Sequence, residues 1–272
     1  MVSDVGNRRR PVVFTGIVTL VFLFILSPLI FITLVSLFSN QIMAFPPEGW
    51  SFRWYQNIWQ QAAFVDGFVL SVQVALLSMA AGVILGSAAS VAIVRYDFPG
   101  RNLLSMLLLS PLIVPGIVAG TALYIFFVDL TQIFGLRLAA TLPGLVLAHV
   151  TITIPWTVRL ISASLVGVDR SVEEAAMNLG ANHLATFWRV TLPMIRPGIV
   201  AAALFSFIVS YGNLEMSLFL VGPGHTTLPI AILQYLNFNL DPTVAAVSVL
   251  QIVIIGVAML MTNRFVKLSA IV

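Results

Sequence analysis

Six stretches of this 272-residue chain stay apolar for about twenty residues or more, and that pattern constrains its fold more than any motif it carries. A hydrocarbon core about 30 Å thick takes roughly 20 helical residues to cross, and within it backbone amides and carbonyls must find partners inside the protein. Spans are expected at about 12 to 38, 67 to 94, 103 to 127, 141 to 162, 197 to 221 and 243 to 263. Composition agrees. Hydrophobic residues make up 60% of the chain and charged residues 8%, against about a quarter charged in a soluble domain. The expectation is an all-α integral membrane protein with six transmembrane helices. Its membrane domain covers 12 to 263, between short tails at 1 to 11 and 264 to 272.

The first span follows Arg8, Arg9 and Arg10 and has the outline of a signal peptide. Its apolar run is too long for one, and no small-residue cleavage site follows, so a retained span is expected. Basic residues set the orientation. Arg8, Arg9, Arg10, Arg95, Arg101, Arg159, Arg170, Arg189, Arg196, Arg264 and Lys267 fall on one side of the alternating spans, against Arg53 and Arg137 on the other. Both termini are therefore expected in the cytoplasm.

Between the first two spans, Trp50, Phe52, Trp54, Tyr55 and Trp59 are spaced to lay aromatic rings along an interfacial helix at the outer headgroups. Asp97-Phe98-Pro99-Gly100 reads as a tight inner turn. Gly82 with Gly86, and Gly116 with Gly120, repeat at the four-residue spacing that lets helix backbones approach. Pro111 and Pro115 interrupt the third span and free carbonyls there. Such a break serves either a plain kink or a pathway lining, since exposed backbone is tolerated only against protein or a wet cavity.

The segment from about 166 to 197 is too polar to span, and this topology makes it cytoplasmic. Ser171 and Glu174 have capping-box spacing, which predicts a short helix starting near Ser171. Ala175 and Ala176 give it a face of little bulk, and Gly180 supplies a left-handed C-terminal cap. A second short helix is expected from about Asn182 to Thr191, with Leu184, Phe187 and Trp188 on its apolar face and Pro193 and Pro197 separating it from the fifth span. On these grounds alone the segment is either an interfacial hairpin or a handle for a soluble partner.

At this point the sequence resembles a known family. Glu174-Ala-Ala-Met-Asn-Leu-Gly180, nine intervening residues, then Val190-Thr191-Leu192-Pro193 is similar to the EAA loop of permease subunits in bacterial ABC importers, with valine where that family usually has isoleucine. Trp54-Tyr55, Ser110-Pro111 and Gly222-Pro223 resemble the spermidine/putrescine-type permeases in particular. The resemblance implies that the loop is a coupling helix seated in a cleft of a cytoplasmic ATPase. Ser171, Glu173, Glu174, Ala175, Ala176 and Gly180 would belong to that coupling segment, and Leu192 and Pro193 would join it to the fifth span. It further implies a bacterial inner-membrane location, two ATPase subunits carrying ATP-Mg, an external substrate-binding protein, and a second homologous permease, a heterodimer being expected. No cofactor in this chain, no metal and no nucleic-acid partner is expected.

Some functions can be set aside from the residues themselves. A P-loop needs Gly-Lys before Ser or Thr, and the one lysine, Lys267, follows Val266. The chain therefore carries no Walker site. Cysteine is absent, and His149, His183 and His225 are far apart with no clustered carboxylates, so no enzyme is expected. A secondary transporter or channel is the alternative class, but it would usually need more ionisable groups inside the membrane than Glu215 and the borderline Arg159. Glu215, expected near the outer end of the fifth span with Tyr211 and Asn213, is the candidate contact for a cationic solute; otherwise it pairs structurally, for instance with Arg137. Pro111 and Pro115 complete the candidate pathway. The resemblance favours a polyamine, with ferric iron or another small organic solute as alternatives.

Overall fold

A computed structural model describes residues 9 to 222 and 224 to 265. Of the expected tails at 1 to 11 and 264 to 272, residues 1 to 8 and 266 to 272 lie outside the described residues, so Arg8 and Lys267 do too, as does Pro223. The chain runs α1 (Arg9–Val35), α2 (Arg53–Gln60), α3 (Ala62–Arg95), α4 (Arg101–Leu109), α5 (Gly116–Phe134), α6 (Leu142–Val166), α7 (Arg170–Asn178), α8 (His183–Thr186), α9 (Leu192–Tyr211), α10 (Ser217–Leu220), α11 (Leu228–Leu236) and α12 (Thr243–Phe265). No strand occurs among the described residues, and six helical segments are long and apolar enough to cross a membrane.

Two of those segments differ from the sequence expectation. The third is not a helix over 103 to 127. α4 stops at Leu109, a single 3₁₀ turn covers Ser110–Leu112, and the crossing helix is Gly116–Phe134. Pro115 carries ψ 133°, outside the helical region, and supplies no amide of its own, so the chain restarts at Gly116. At its other end Gly135 adopts φ +70° and returns its amide to the Thr131 carbonyl, closing the helix seven residues later than expected.

The fifth segment both begins and ends earlier than the expected 197 to 221. A continuous helical path covers His183–Tyr211, so Pro193 and Pro197 do not separate the second short helix from the span. The path holds because Phe187–Thr191 is a π-helical turn, and the wider turn absorbs bonds the proline ring nitrogens cannot donate. The helix ends at Gly212, which leaves Glu215 outside it rather than six residues within.

The chain divides into two compact units. One comprises the residues up to Gln61 together with Tyr235–Val253. α1 in this unit turns its apolar side chains outward along most of its length, Phe24 being 76% exposed, as lipid permits and water would not. The aromatic segment behind it does not simply lie in the interface. Trp54 is buried, and its indole Nε1 donates to the Phe38 carbonyl at 2.6 Å. Tyr55 pairs with Ser36 at 2.8 Å, so two of the five expected belt residues are folded against the end of α1, while Trp50, Phe52 and Trp59 remain exposed. A buried indole needs a partner for its N–H, and the end of a helix offers free carbonyls. Asp241 caps α12 by accepting from the Thr243 amide at 2.9 Å and from the Tyr235 hydroxyl at 2.8 Å.

The other unit comprises Ala62–Gln234 and the residues from Ile254 onward, and is built on α3, α6 and α9 packed against one another. α3 presents Ser71, Ser78, Gly82, Gly86 and Ser90 as a buried stripe of small residues. A Cβ at Gly86 would collide with Thr157 of α6, and one at Gly82 would come within 2.5 Å of the Thr153 hydroxyl. The expected close approach is thus within the chain. Ser78 and Ser90 donate to the Val146 and Val158 carbonyls at 3.2 Å, tying backbone to side chain where apolar lipid gives no hydrophobic drive for association. Apolar clusters seal both ends of this pair: Ile161, Leu165, Ile195 and Ala202 at one, and Leu70, Val74, Leu145, Phe127 and Met216 at the other.

Candidate functional site: a polar insert and a helix break

Two polar regions flank α9. Before it lies the insert of α7, α8 and the π turn. The first helix begins one residue before the expected Ser171. Asp169 is the N-cap, accepting from the Ser171 amide at 2.9 Å, and that hydrogen bond holds its carboxyl below the usual carboxylate range. The Ser171/Glu174 capping box is not made. A carboxylate two residues earlier is the stronger acceptor for exposed amides at a positive helix end, and Glu174 instead pairs with Arg170 at 3.5 Å, both exposed. At the other end Gly180 has φ +93°, with its amide on the Met177 carbonyl and the Ala181 amide on that of Ala176. This double closure needs a left-handed residue, which glycine supplies at no steric cost.

α7 is sharply two-sided. Glu173 is 8% exposed and turned into the protein, where it meets Arg95 at 3.0 Å and the Thr191 hydroxyl at 2.8 Å. It is therefore placed to brace the segment from inside, unlike the outward residues Ser171, Glu174 and Ala175. Ala176 is half-buried. Leu179, which no spacing rule marks, is 90% exposed. Leu184 and Trp188, from the expected apolar face of the second short helix, also point outward. An apolar side chain pinned outward at a helix end, with Val172 on the same helix 41% exposed, gives a low-bulk surface rimmed by charge. Leu179 stands out in the sequence as the leucine next to the cap glycine in a segment of mostly small and polar residues. Asn182 caps α8 through the Ala185 amide at 2.8 Å. Leu192 and Pro193 open α9, continuous with this surface through the π turn.

Beyond α9 the chain breaks at Gly212 and resumes as α10. The Asn213 side chain accepts from the Met216 amide at 2.8 Å, and its carbonyl accepts from the Ser217 hydroxyl at 2.9 Å. His149 of α6 then staples the break. One ring nitrogen lies 2.8 Å from the Ser210 hydroxyl on α9, and the other lies 3.0 Å from that of Ser217 on α10. His149 and both serines are buried, so backbone released by the break is held by a neutral polar network rather than by water. The partners of His149 are 61 and 68 residues distant and could not be read locally.

The network leaves Glu215 exposed, against the first residue of α5. A Cβ at Gly116 would collide with the Glu215 carboxylate, and one at Gly120 would press on the Met216 backbone, so these two glycines admit the broken strand of chain. The break therefore brings together Pro115, Gly116, Asn213 and Glu215. A carboxylate beside the first turn of a helix is favoured by the helix dipole. No ion pair of Glu215 with Arg137 or another basic residue occurs among the described residues. Tyr211 does not join this group. It is 1% exposed, stacked on Phe207 at 5.6 Å and edge-on to Phe68 at 6.4 Å, because its helical position four residues after Phe207 turns it into the core. Pro111, half-buried in the 3₁₀ turn, shapes the approach to α5 from further back. Among the described residues no cluster of His, Asp and Glu is suited to hold a metal ion.

Helices long and apolar enough to cross a membrane, with a polar insert before α9 and a stapled break after it, define a polytopic membrane protein. Residues 78–269 match the family of binding-protein-dependent transport system inner membrane components, and the chain belongs to that family. The putrescine transport system permease protein PotI of Escherichia coli is 34% identical over 242 residues, 89% of this chain and 86% of that protein. The spermidine/putrescine transport system permease protein PotC of Haemophilus influenzae is 27% identical, over 86% of this chain and 90% of its own length. Among solved structures, a bacterial alginate ABC transporter in complex with an alginate pentasaccharide-bound periplasmic protein has a chain of the same fold, with TM-score 0.75, 16% identity and 94% of both chains covered. The MetNI methionine ABC transporter in an inward-facing form gives TM-score 0.62 at 18% identity, over 80% of this chain and 98% of that one.

Proposed function

We propose that this chain forms half of the membrane pathway of an ATP-driven importer for a polyamine or similar small organic cation. A second permease chain, different from this one, supplies the other half, an external binding protein delivers the solute, and two cytoplasmic ATPase subunits bind ATP-Mg. Both termini face the cytoplasm, following the basic residues of the inner loops. The insert is the coupling segment: Ser171, Glu174, Ala175, Ala176 and Gly180 form its helix and cap, Leu179 adds an apolar anchor, and Leu192 and Pro193 carry its movement into α9.

The observation that carries the cationic solute is Glu215, an exposed carboxylate without a basic partner among the described residues, presented by a broken helix opposite Gly116. An unpaired carboxylate is costly in a membrane, so a position that keeps one at a backbone break is a functional position by default. Putrescine and spermidine systems among the relatives support an amine in particular. The test is uptake of radiolabelled putrescine by proteoliposomes holding the chain with its partner subunits and binding protein. Uptake that requires ATP and the binding protein supports the proposal. Uptake driven by an ion gradient alone, or none for any polyamine, overturns it.

A further inference from the structure

The inward face of α7 carries a linkage that partner contacts do not explain. The Glu173 carboxylate receives the Arg95 guanidinium at 3.0 Å and the Thr191 hydroxyl at 2.8 Å. Arg95 also donates to the Val168 carbonyl at 3.2 Å. Arg95 is the last residue of α3, Val168 follows the end of α6, and Thr191 is the last residue of the π turn that opens α9. One buried carboxylate therefore joins the insert to the inner ends of all three helices that pack the larger unit. Side-chain exposures of 13% for Arg95 and 11% for Glu173 mean that neither charge can exchange its partner freely for water. A cavity of about 110 Å³ lies alongside, lined by Arg95, Glu173, Thr186, Phe187 and Thr191, and leaves these side chains room to move together. The π turn adds a place where helical register can shift, a role such turns often have at functional joints.

We propose that Glu173 is the positioning residue that converts displacement of α7 into movement of α3 and α9, acting through Arg95 and Thr191 and not by touching a partner subunit. This rests on the proposed seating of α7 on an ATPase. The outward residues receive the push and Glu173 passes it on. A buried ion pair suits the task because separating it strands a charge, so helices tied by it move as one body.

The complete transporter in proteoliposomes provides the test, with putrescine uptake and ATP hydrolysis measured on one preparation. Glu173→Gln should lower uptake per ATP hydrolysed about tenfold while hydrolysis persists. Thr191→Val should do the same more weakly. The exchange Glu173→Arg with Arg95→Glu should recover most of the ratio, which a defect of folding alone would not. An unchanged ratio in Glu173→Gln overturns the linkage, as does a proportional fall in uptake and hydrolysis, which marks a purely structural pair. Absence of ATP-driven uptake in the wild type overturns the functional reading beneath it, whereas ATP-driven uptake with an unaltered Glu173→Gln ratio overturns the linkage alone.

Discussion

The polar regions at the two ends of α9 are stabilised by different chemistry. The insert uses full charges: Glu173 with Arg95, Glu174 with Arg170, and Asp169 on a helix end. The break uses neutral groups, an imidazole between two hydroxyls and an asparagine on the backbone, and leaves one carboxylate outward. α9 has 20 residues, and at 1.5 Å per residue its length is about that of a hydrocarbon core, roughly 30 Å. Charge pairs and hydrogen bonds between uncharged groups are two ways of satisfying polar groups at the ends of a membrane helix. The comparison teaches where to expect sensitivity. The insert should fail through its surface, and the break through its interior scaffold or its single free charge.

The strongest challenge to that contrast is at the insert's surface. Leu179→Asp should abolish uptake while the protein still inserts and folds, because the side chain is 90% exposed and touches little of its own chain. A buried interface anchor is worth roughly 2 kcal/mol or more, about thirtyfold in affinity, so co-purification of the ATPase with the variant is the direct measurement. At the break, Glu215→Gln should lower putrescine uptake about tenfold, near 1.4 kcal/mol, with the fold intact. Retained uptake with unchanged specificity would reassign Glu215 to structure.

His149→Leu tests the scaffold beneath that charge. It fills a similar space but leaves the buried Ser210 and Ser217 hydroxyls without the imidazole, at a cost of about 1 to 3 kcal/mol. Thermal unfolding in detergent should show the loss, and uptake should fall with it. If stability drops while uptake per folded molecule is normal, the break does not need its staple for transport.

How far the sequence alone reached differs between the two ends in the same way. The insert is local, so its cap glycine, two short helices and low-bulk face could be read from spacing over residues 166 to 197. What failed there was non-local or competitive. Glu173 could be grouped with its neighbours but not turned inward, because Arg95 lies 78 residues away. Asp169 outcompeted Ser171 for the cap, and a π turn let prolines stand inside a helix where spacing rules end one. At the break, Glu215 stood out as a charge in an apolar run, yet hydropathy carried the helix past Gly212. The polar partners that end it come from α6, and Gly116, which makes room for Glu215, comes from α5. Tyr211 stands apart for a related reason: polarity suggested a lining, while its neighbours at stacking distance are Phe207 and Phe68.

The smallest effect belongs to the cap of α7, where the contrast between charged and neutral support can be tested within one residue. Asp169 accepts from the Ser171 amide, and its carboxyl is held below the usual range by that bond. A group whose pKa is lower folded than unfolded stabilises the fold above the unfolded value, and the contribution is lost as pH falls through the folded one. The cap should thus be complete at neutral pH and fail only in acid. Asp169→Asn keeps an oxygen acceptor and should hold the helix at every pH, because asparagine is a comparable N-cap. Asp169→Ala removes the acceptor and should speed hydrogen exchange at the amides of Ser171 and its neighbours even at neutral pH. If the asparagine variant frays like the alanine variant, it is the charge beside the helix dipole that anchors α7, and the insert depends on charge down to its first turn.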